Sequence, residues 1–201
     1  PLPPEEGRTL QEAGVLGTEF DAALLRRVAS APAAATDASL QRLAAAQLLR
    51  PDGERWRFMH ALLHEVAYQN LLLARRSELH GRAGRALEEM TGLTGHGPRR
   101  LAELEALGHH WSLSSLDPLR GARYLLAAGD WARAGYANDD GLRHYRRAMR
   151  TLEEAPGPAD PQAQALQHEA RERLAGLLAL AGEREEALRH YEAIRQAPGN
   201  G

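Results

Sequence analysis

Residues 51–80 constrain the fold more than any other stretch of the chain. Pro51-Asp52-Gly53 is a turn signal that separates two short runs with strand character, 48–50 and 55–58. These runs predict a β-hairpin. An apolar pattern with a period near that of a helix begins directly after the hairpin, so we expect a helix over about 59–72. Its predicted buried stripe consists of Met59, Leu62, Leu63, Val66, Ala67 and Leu71.

Three helical patterns precede the hairpin. The first opens with a capping box at Thr9. The second is capped by Thr18 or Asp21, and the third is capped by Asp37. Three helices followed by a hairpin is the element order of a winged-helix domain. The sequence therefore predicts a winged-helix-like domain over residues 8–72.

Paired helices are predicted for the second half of the chain. Asp117-Pro118 and Asp160-Pro161 each place an N-cap before a proline at the first helical position. Asn138 is predicted to cap a helix, and Gly182 to form the tight turn of the last pair. Alanine and leucine supply most of the packing surface, which suits close contacts between helices.

An internal repeat supports this interpretation. Leu142-Arg-His-Tyr145-Arg-Arg-Ala148 parallels Leu188-Arg-His-Tyr191-Glu-Ala-Ile194, at an offset of 46 residues (191 minus 145). The alternation of small and large residues resembles that of tetratricopeptide repeats, although the offset exceeds their usual period of about 34 residues. We therefore expect degenerate repeats, and we expect Pro198 to end the last helix one residue early.

The predicted fold class is mainly α. A linker over 1–7 precedes the winged-helix-like domain, which carries one short β-hairpin. A connecting helix and loop cover 73–98, and tetratricopeptide-like helical hairpins fill 99–201.

Composition limits the classes of function. All 25 basic residues are arginine, the formal net charge is −2, and no cysteine is present. The small negative net charge gives no sign of nucleic-acid binding, and the absence of cysteine excludes disulfides and thiolate metal sites. No apolar run approaches the length of a membrane span and no signal peptide is visible, so a soluble cytoplasmic fragment is expected.

The segment from Phe58 to Tyr68 carries a family resemblance. It is similar to the "Met-His-Asp" segment of the winged-helix domain that follows the nucleotide-binding core of STAND-type signalling ATPases. Winged helix and helical repeats also follow one another in that family. The resemblance covers roughly residues 8–197. It extends to ATPase-linked adenylate cyclases and to large LuxR-like and SARP-like transcription regulators of bacteria.

The resemblance implies a nucleotide-sensing role for His60. In the family the corresponding histidine reaches the β-phosphate of ADP and holds the closed, inactive state. Ala61 departs from the family, which often has Asp at this place. No phosphate-binding loop is present and there is no lysine to build one, so neither a catalytic residue nor a cofactor is expected in this chain.

The resemblance also implies the partners. ATP and ADP would belong to the parent protein, whose upstream nucleotide-binding domain would be the first partner. The repeats would take a protein, a peptide or a small-molecule inducer on their concave face. The chain is thus expected to be a non-enzymatic regulatory and interaction module.

Two other functions are weighed against this one. In a DNA-binding winged helix, the recognition helix over 37–47 would carry only Arg42 as a base, and residues 1–72 hold seven Arg against nine Asp and Glu. A zinc enzyme could use His60 and His64, but the zincin motif needs Glu where Ala61 stands.

Two further clusters favour structural roles. His109 and His110 are adjacent in a predicted helix, so one should be packed and the other exposed. The second cluster is a group of arginines, most of which share one helical face. Such a face is usually solvated; the alternative is that it binds an acidic partner. This cluster consists of Arg143, Arg146, Arg147 and Arg150.

Overall fold

The computed structural model describes residues 2–92, 101–155 and 160–196. Within them the chain forms ten helices and one three-stranded antiparallel sheet, which confirms the mainly helical fold class. The chain divides into two compact units, 1–94 and 95–201. None of the described helices combines the length and the apolar character needed to cross a membrane.

Three helices open the first unit, as predicted: α1 (Pro4–Leu16), α2 (Ala22–Val28) and α3 (Ala33–Ala45). Helix α1 begins at Pro4, so the extended linker expected over 1–7 is already helical from its fourth residue. Pro3 and Pro4 explain this early start, because proline presets a φ that suits the first turn. The predicted capping box at Thr9 is wrong, since Thr9 is buried inside α1.

Of the caps predicted for the next two helices, one is confirmed and the other is wrong. Asp21 caps α2, as one of the two predicted alternatives, because its Oδ1 accepts a hydrogen bond from the Ala23 N–H at 2.5 Å. Asp37 does not cap α3, which begins behind Pro32. Asp37 lies inside the helix and forms an ion pair of 2.8 Å with Arg26.

The predicted hairpin is present as β2 (Leu49–Asp52) and β3 (Arg55–Phe58). A third strand, β1 (Glu19–Asp21), pairs antiparallel with the other side of β3 and places Phe20 opposite Trp56. The central strand β3 therefore has both of its edges paired. It contributes Trp56 and Phe58 to a core shared with leucines of α1, α2 and α3.

Two helices complete the first unit, α4 (Ala61–Gln69) and α5 (Leu73–Thr91). Helix α5 packs against α1 and α2, and its fully buried Leu79 joins a core with Val28. The structure thus places α5 within the first unit, whereas the sequence analysis assigns 73–98 to a connection. Residues 93–98 of that expected connection lie outside the described residues.

Five helices form the described part of the second unit: α6 (Leu101–Ser112), α7 (Pro118–Ala134), α8 (Asn138–Glu154), α9 (Pro161–Ala181) and α10 (Arg184–Gln196). Asp117 and Asp160 cap α7 and α9 as predicted. Asn138 was predicted to be a cap and is instead the first helical residue, behind Ala137. The expectation for Pro198 falls outside the described residues.

The repeat seen in the sequence is also a repeat of backbone geometry. The turn between α7 and α8 contains Tyr136 at φ +61°, and the turn between α9 and α10 contains Gly182 at φ +86°, again 46 residues apart. Small residues allow these helices to approach closely. A Cβ on Gly129 would lie 2.3 Å from the Tyr145 ring, and one on Gly141 would lie 2.8 Å from Leu177.

Candidate functional site

His60 stands at the junction between strand β3 and helix α4. It is the N-cap residue of α4, with extended backbone angles (φ −138°, ψ 137°), and its side chain is exposed and forms no capping hydrogen bond. A typical N-cap side chain would accept a hydrogen bond from the first turn of the helix. The His60 imidazole therefore stands exposed at a helix N-terminus, where an anion is favoured, and does not cap the helix.

A set of exposed large aliphatic residues lies on α4 and in the chain on either side of it. We call it the α4 face. Its members are 38% to 80% exposed, which is unusual for large aliphatic residues so close together in the chain. The α4 face consists of Leu62 and Val66 on α4, Met59 just before it, and Leu72 and Leu73 where α5 begins.

The exposure of this face shows that the buried stripe predicted for the helix is partly wrong. Met59, Leu62 and Val66 were expected in the buried stripe of the helix, and in the structure they point away from the core. Ala67 and Leu71 are buried as expected, and Leu63 is half-buried. The physical reason is that α4 has only nine residues and meets the core through a narrow arc, so the apolar pattern is wider than the surface that covers it.

Helix α4 is held in this orientation by its contact with α1. The His64 Nε2–H donates a hydrogen bond of 2.9 Å to the Gly14 carbonyl oxygen, and the ring packs edge-on against Phe58. A Cβ on Gly14 would stand 3.6 Å from the Ala67 Cβ, an ordinary van der Waals distance, so α1 lies directly beside α4 at this point. His64 thus serves the α1–α4 packing, which speaks against a zinc site that it shares with His60.

The far end of α4 is joined to α5 by a second set of ring contacts. The Tyr68 hydroxyl and His80 Nε2 share a hydrogen bond of 3.0 Å, and the Arg76 guanidinium lies 4.3 Å from the centre of the Tyr68 ring. Cation–π contacts of this kind stabilise by about 0.5–2 kcal/mol. Side-chain contacts therefore hold α4 against both α1 and α5 within the first unit.

The helix expected to read DNA offers little positive charge. Arg42, its only base, donates a hydrogen bond from Nε to the buried Glu6 carboxylate and lies 3.6 Å from Glu5. An arginine that is neutralised within the fold contributes little to phosphate binding.

A groove is lined by residues of α7, α8 and α9 in the second unit. It encloses about 310 Å³ and is lined by Arg133, Tyr145, Glu172, Arg173, Gly176, Leu177 and Leu180. The Tyr145 hydroxyl donates to Asp130 at 2.6 Å, and Arg173 pairs with the same carboxylate at 3.0 Å. Burial, aided by the Asp130 carboxylate, raises the pKa of Tyr145, so its hydroxyl remains a proton donor. The network joins α7, α8 and α9 along one side of the groove.

The arginine cluster is partly used inside the unit. Arg146 pairs with Glu183 and Glu186 at 2.9 Å each, and Arg147 donates to His109 Nδ1 at 2.8 Å. The solvated face expected here is thus in part an internal contact between helices. His110 is buried and His109 is exposed, as predicted.

Two features escaped the sequence analysis, the exposed α4 face and the Asp130–Tyr145–Arg173 network. The first had a visible signal, because apolar residues at 61, 62, 63, 66, 67, 71, 72 and 73 cover more of a helix than one core contact can bury. No sequence pattern indicates the network, since it forms only where α7, α8 and α9 pack against one another.

Comparison of the chain with family models, with curated proteins and with solved structures gives no match. The class that the fold defines is a mainly helical protein with a small antiparallel sheet. Any function must therefore be argued from the geometry of its exposed faces.

Proposed function

We propose that this chain is a non-enzymatic regulatory and protein-interaction module of a STAND-type signalling ATPase. The first unit is a winged-helix-like domain that docks on an upstream nucleotide-binding domain, and the second is a set of tetratricopeptide-like hairpins. The parent protein binds ATP and ADP in the cytoplasm, and its output is either cyclase activity or transcription regulation.

The observation that carries this proposal is the α4 face with His60 at its end. Large aliphatic residues exposed on and beside one helix are typical of a docking surface, because burying their apolar area stabilises a complex. His60 lies where the same docked domain would bring a phosphate to a helix N-terminus. An imidazole at that place donates a hydrogen bond to an anion, which links docking to the nucleotide state.

The second unit supports the interaction role. Gly129 and Gly141 let its helices approach closely, the Asp130–Tyr145–Arg173 network joins α7, α8 and α9, and these helices leave a groove with both charged and apolar lining. A protein, a peptide or a small-molecule inducer would bind in this groove. Direct DNA binding, the alternative function, receives no support from Arg42 because Glu6 already pairs with it.

The test uses the full-length protein with His60→Ala. We expect the variant to lose ADP during purification, because one hydrogen bond to a phosphate is worth about 1.5–3 kcal/mol and its loss weakens binding roughly tenfold or more. Nucleotide content is measured by chromatography of the denatured protein. His168→Ala, which changes a half-buried histidine of α9, is the matched control and should retain ADP. Equal ADP content in all three proteins would refute the sensor role.

A further inference from the structure

A cavity of about 390 Å³ lies in the first unit, between α1, α5 and the connection from α2 to α3. We call it the Arg8 cavity. Its volume falls within the range of small-molecule sites, and neither His60 nor a residue of the α4 face lines it. The wall consists of Arg8, Gln11, Glu12, Ser30, Leu71 and Arg75.

A buried carboxylate holds one side of the Arg8 cavity in place. Glu12 is 1% exposed, and its Oε1 accepts hydrogen bonds from the Ser30 N–H at 3.1 Å, the Ser30 hydroxyl at 2.6 Å and Arg75 Nη2 at 3.1 Å. The Ser30 hydroxyl accepts in turn from Arg75 Nη2 at 2.5 Å and from Arg82 Nη1 at 3.5 Å. The network joins α1, α5 and the α2–α3 connection, so Arg75 is positioned before any ligand binds.

The wall also carries hydrogen-bond donors that the fold does not use. Arg75 donates three hydrogen bonds, to Glu12, Ser30 and Glu78, so two of its five N–H groups have no acceptor among the described residues. Within the same part of the chain, neither the Arg8 guanidinium nor the Gln11 amide has a hydrogen-bond or ion-pair partner. An acceptor in the cavity would therefore gain hydrogen bonds that the protein itself does not supply.

The charged groups at the cavity leave one positive charge in excess. The cations are Arg8, Arg75 and Arg82, of which Arg82 lies behind Ser30 and also donates to the Ala29 carbonyl oxygen at 2.7 Å. The acids are Glu12 and Glu78, and both pair with Arg75, at 3.1 Å and 2.7 Å. Arg8 and Arg82 thus have no carboxylate partner among the described residues.

Charges further from the cavity leave this excess unchanged. Glu5 and Glu6 of α1 share Arg42 of α3, which leaves one negative charge, and Arg85 of α5 supplies one positive charge. The remaining charged residues of α2 form neutral pairs with α3 and α5. These pairs are Arg26–Asp37 and Arg27–Glu89.

We propose that the Arg8 cavity binds a small organic monocarboxylate. The carboxylate accepts hydrogen bonds from Arg8, Gln11 and the unused N–H groups of Arg75, because a guanidinium fork matches the two oxygens of a carboxylate. The apolar body of the ligand lies against Leu71 and the aliphatic stems of the arginines.

The charge of the cavity favours a monoanion over a dianion. One negative charge balances the excess, whereas a second would be repelled by the Glu12 carboxylate in the wall. Inorganic phosphate and phosphate esters are therefore poorer ligands than a carboxylate. The proposal does not rest on the nucleotide-sensing role of His60.

The proposal is tested on the purified 201-residue chain with hexanoate as the probe. Saturation-transfer NMR, in a buffer without other carboxylates or phosphate, gives the dissociation constant. We expect about 1 mM, an affinity that suits a ligand of this size. Hexan-1-ol keeps the chain length without the charge and should bind at least about tenfold more weakly. Inorganic phosphate, added as a competitor, should displace hexanoate at least about tenfold less effectively than unlabelled acetate-type carboxylates of equal length do.

Two variants of α1 locate the bound ligand. Arg8→Gln removes a cation and should weaken hexanoate binding at least about tenfold. Gln11→Glu keeps the size of the side chain and should weaken binding through repulsion between like charges. Arg123→Gln, at an exposed arginine of α7 that has no ion-pair partner among the described residues, is the matched control and should bind as the unchanged chain does. Urea denaturation shows whether each variant keeps its fold.

Four results would overturn the proposal. Hexanoate that does not bind in the millimolar range would show that the cavity is not a carboxylate site. Equal binding of hexan-1-ol would mean that the contact is apolar only. Phosphate that competes more strongly than a carboxylate would assign the cavity to a dianion. Undiminished binding by folded Arg8→Gln or Gln11→Glu would place the ligand elsewhere.

Discussion

At the scale of single residues, glycines set how closely the helices of the second unit approach. Gly129 leaves room for the Tyr145 ring, whereas a Cβ on Gly176 would meet no atom within 4 Å. Both glycines lie inside helices, α7 and α9, so alanine has the same intrinsic advantage at each position. Any difference between the two substitutions therefore reports packing.

We predict opposite effects for Gly129→Ala and Gly176→Ala. The first should lower the free energy of unfolding by about 1–3 kcal/mol, because the ring must move. The second should raise it by about 0.5–1 kcal/mol, because glycine inside a helix is entropically costly. Urea denaturation of both variants measures the difference. Equal effects would mean that the close approach to Tyr145 does not hold the hairpin together.

His144 gives the second unit a dependence on pH. It is buried, its Nε2 lies 3.0 Å from Glu105 Oε1, and burial lowers its pKa below the ordinary 6.5 although Glu105 opposes the change. Arg143 adds to the lowering, and Asp140 opposes it. In the folded protein the imidazole therefore stays neutral at pH values where the unfolded chain binds a proton.

The stabilising effect of a neutral His144 is present above pH 6.5 and is lost as the pH falls below it toward the lowered folded-state pKa. We expect His144→Asn to flatten the decrease in unfolding free energy between pH 7 and pH 5, measured by urea denaturation at several pH values. An unchanged slope would show that His144 does not titrate between the two states. Tyr191→Asn, at an exposed position of α10, serves as the control.

At the scale of elements, the order of helices and the hairpin could be predicted from local signals. The caps at Asp117 and Asp160 are local chemistry and are found in place. The hairpin also forms, but Pro51 and Asp52 belong to β2 and only Gly53 of the predicted turn lies in the turn. Strand β1 was missed because three residues carry too little pattern, and it exists only because β3 offers an edge. The start of α1 was missed because a proline signal at Pro4 outweighed the capping box at Thr9.

The candidate site was predictable only in part. His60 could be placed at the hairpin–helix junction from the sequence, and the structure has it there. Its exposed neighbours Leu62 and Val66 could not be separated from core residues, because periodicity identifies a stripe but not the surface that covers it. The groove network at Asp130 depends on how α7, α8 and α9 pack together, which no local pattern of residues specifies.

Helix α5 allows a direct test of its place in the first core. Leu79 is fully buried, whereas Leu73 of the same helix is 78% exposed. Leu79→Ala should lower the free energy of unfolding by about 2–5 kcal/mol, since it leaves a cavity. Leu73→Ala should change it by less than about 0.5 kcal/mol. Thermal denaturation of the two variants decides whether α5 is part of the unit or an appended connection.

At the scale of the whole molecule, charge argues against nucleic acid as the partner. The chain has a formal net charge of −2, and Arg42, the base of the expected reading helix, is paired. We predict no shift of a DNA duplex in an electrophoretic assay even at low salt, where electrostatic binding is strongest. A shift that weakens steeply as salt increases would instead favour the transcription-regulator alternative with direct DNA contact.

The central claim is that the α4 face docks on a nucleotide-binding domain. Met59 lies on this face and is 38% exposed, Met90 of α5 is 40% exposed, and Met149 is buried. Mild peroxide oxidation followed by mass spectrometry compares their reactivity in this chain and in the full-length protein with ADP. We predict that Met59 becomes resistant in the full-length protein, that Met90 still reacts, and that Met149 reacts slowly in both. Oxidation of Met59 at the same rate in the two proteins would contradict it.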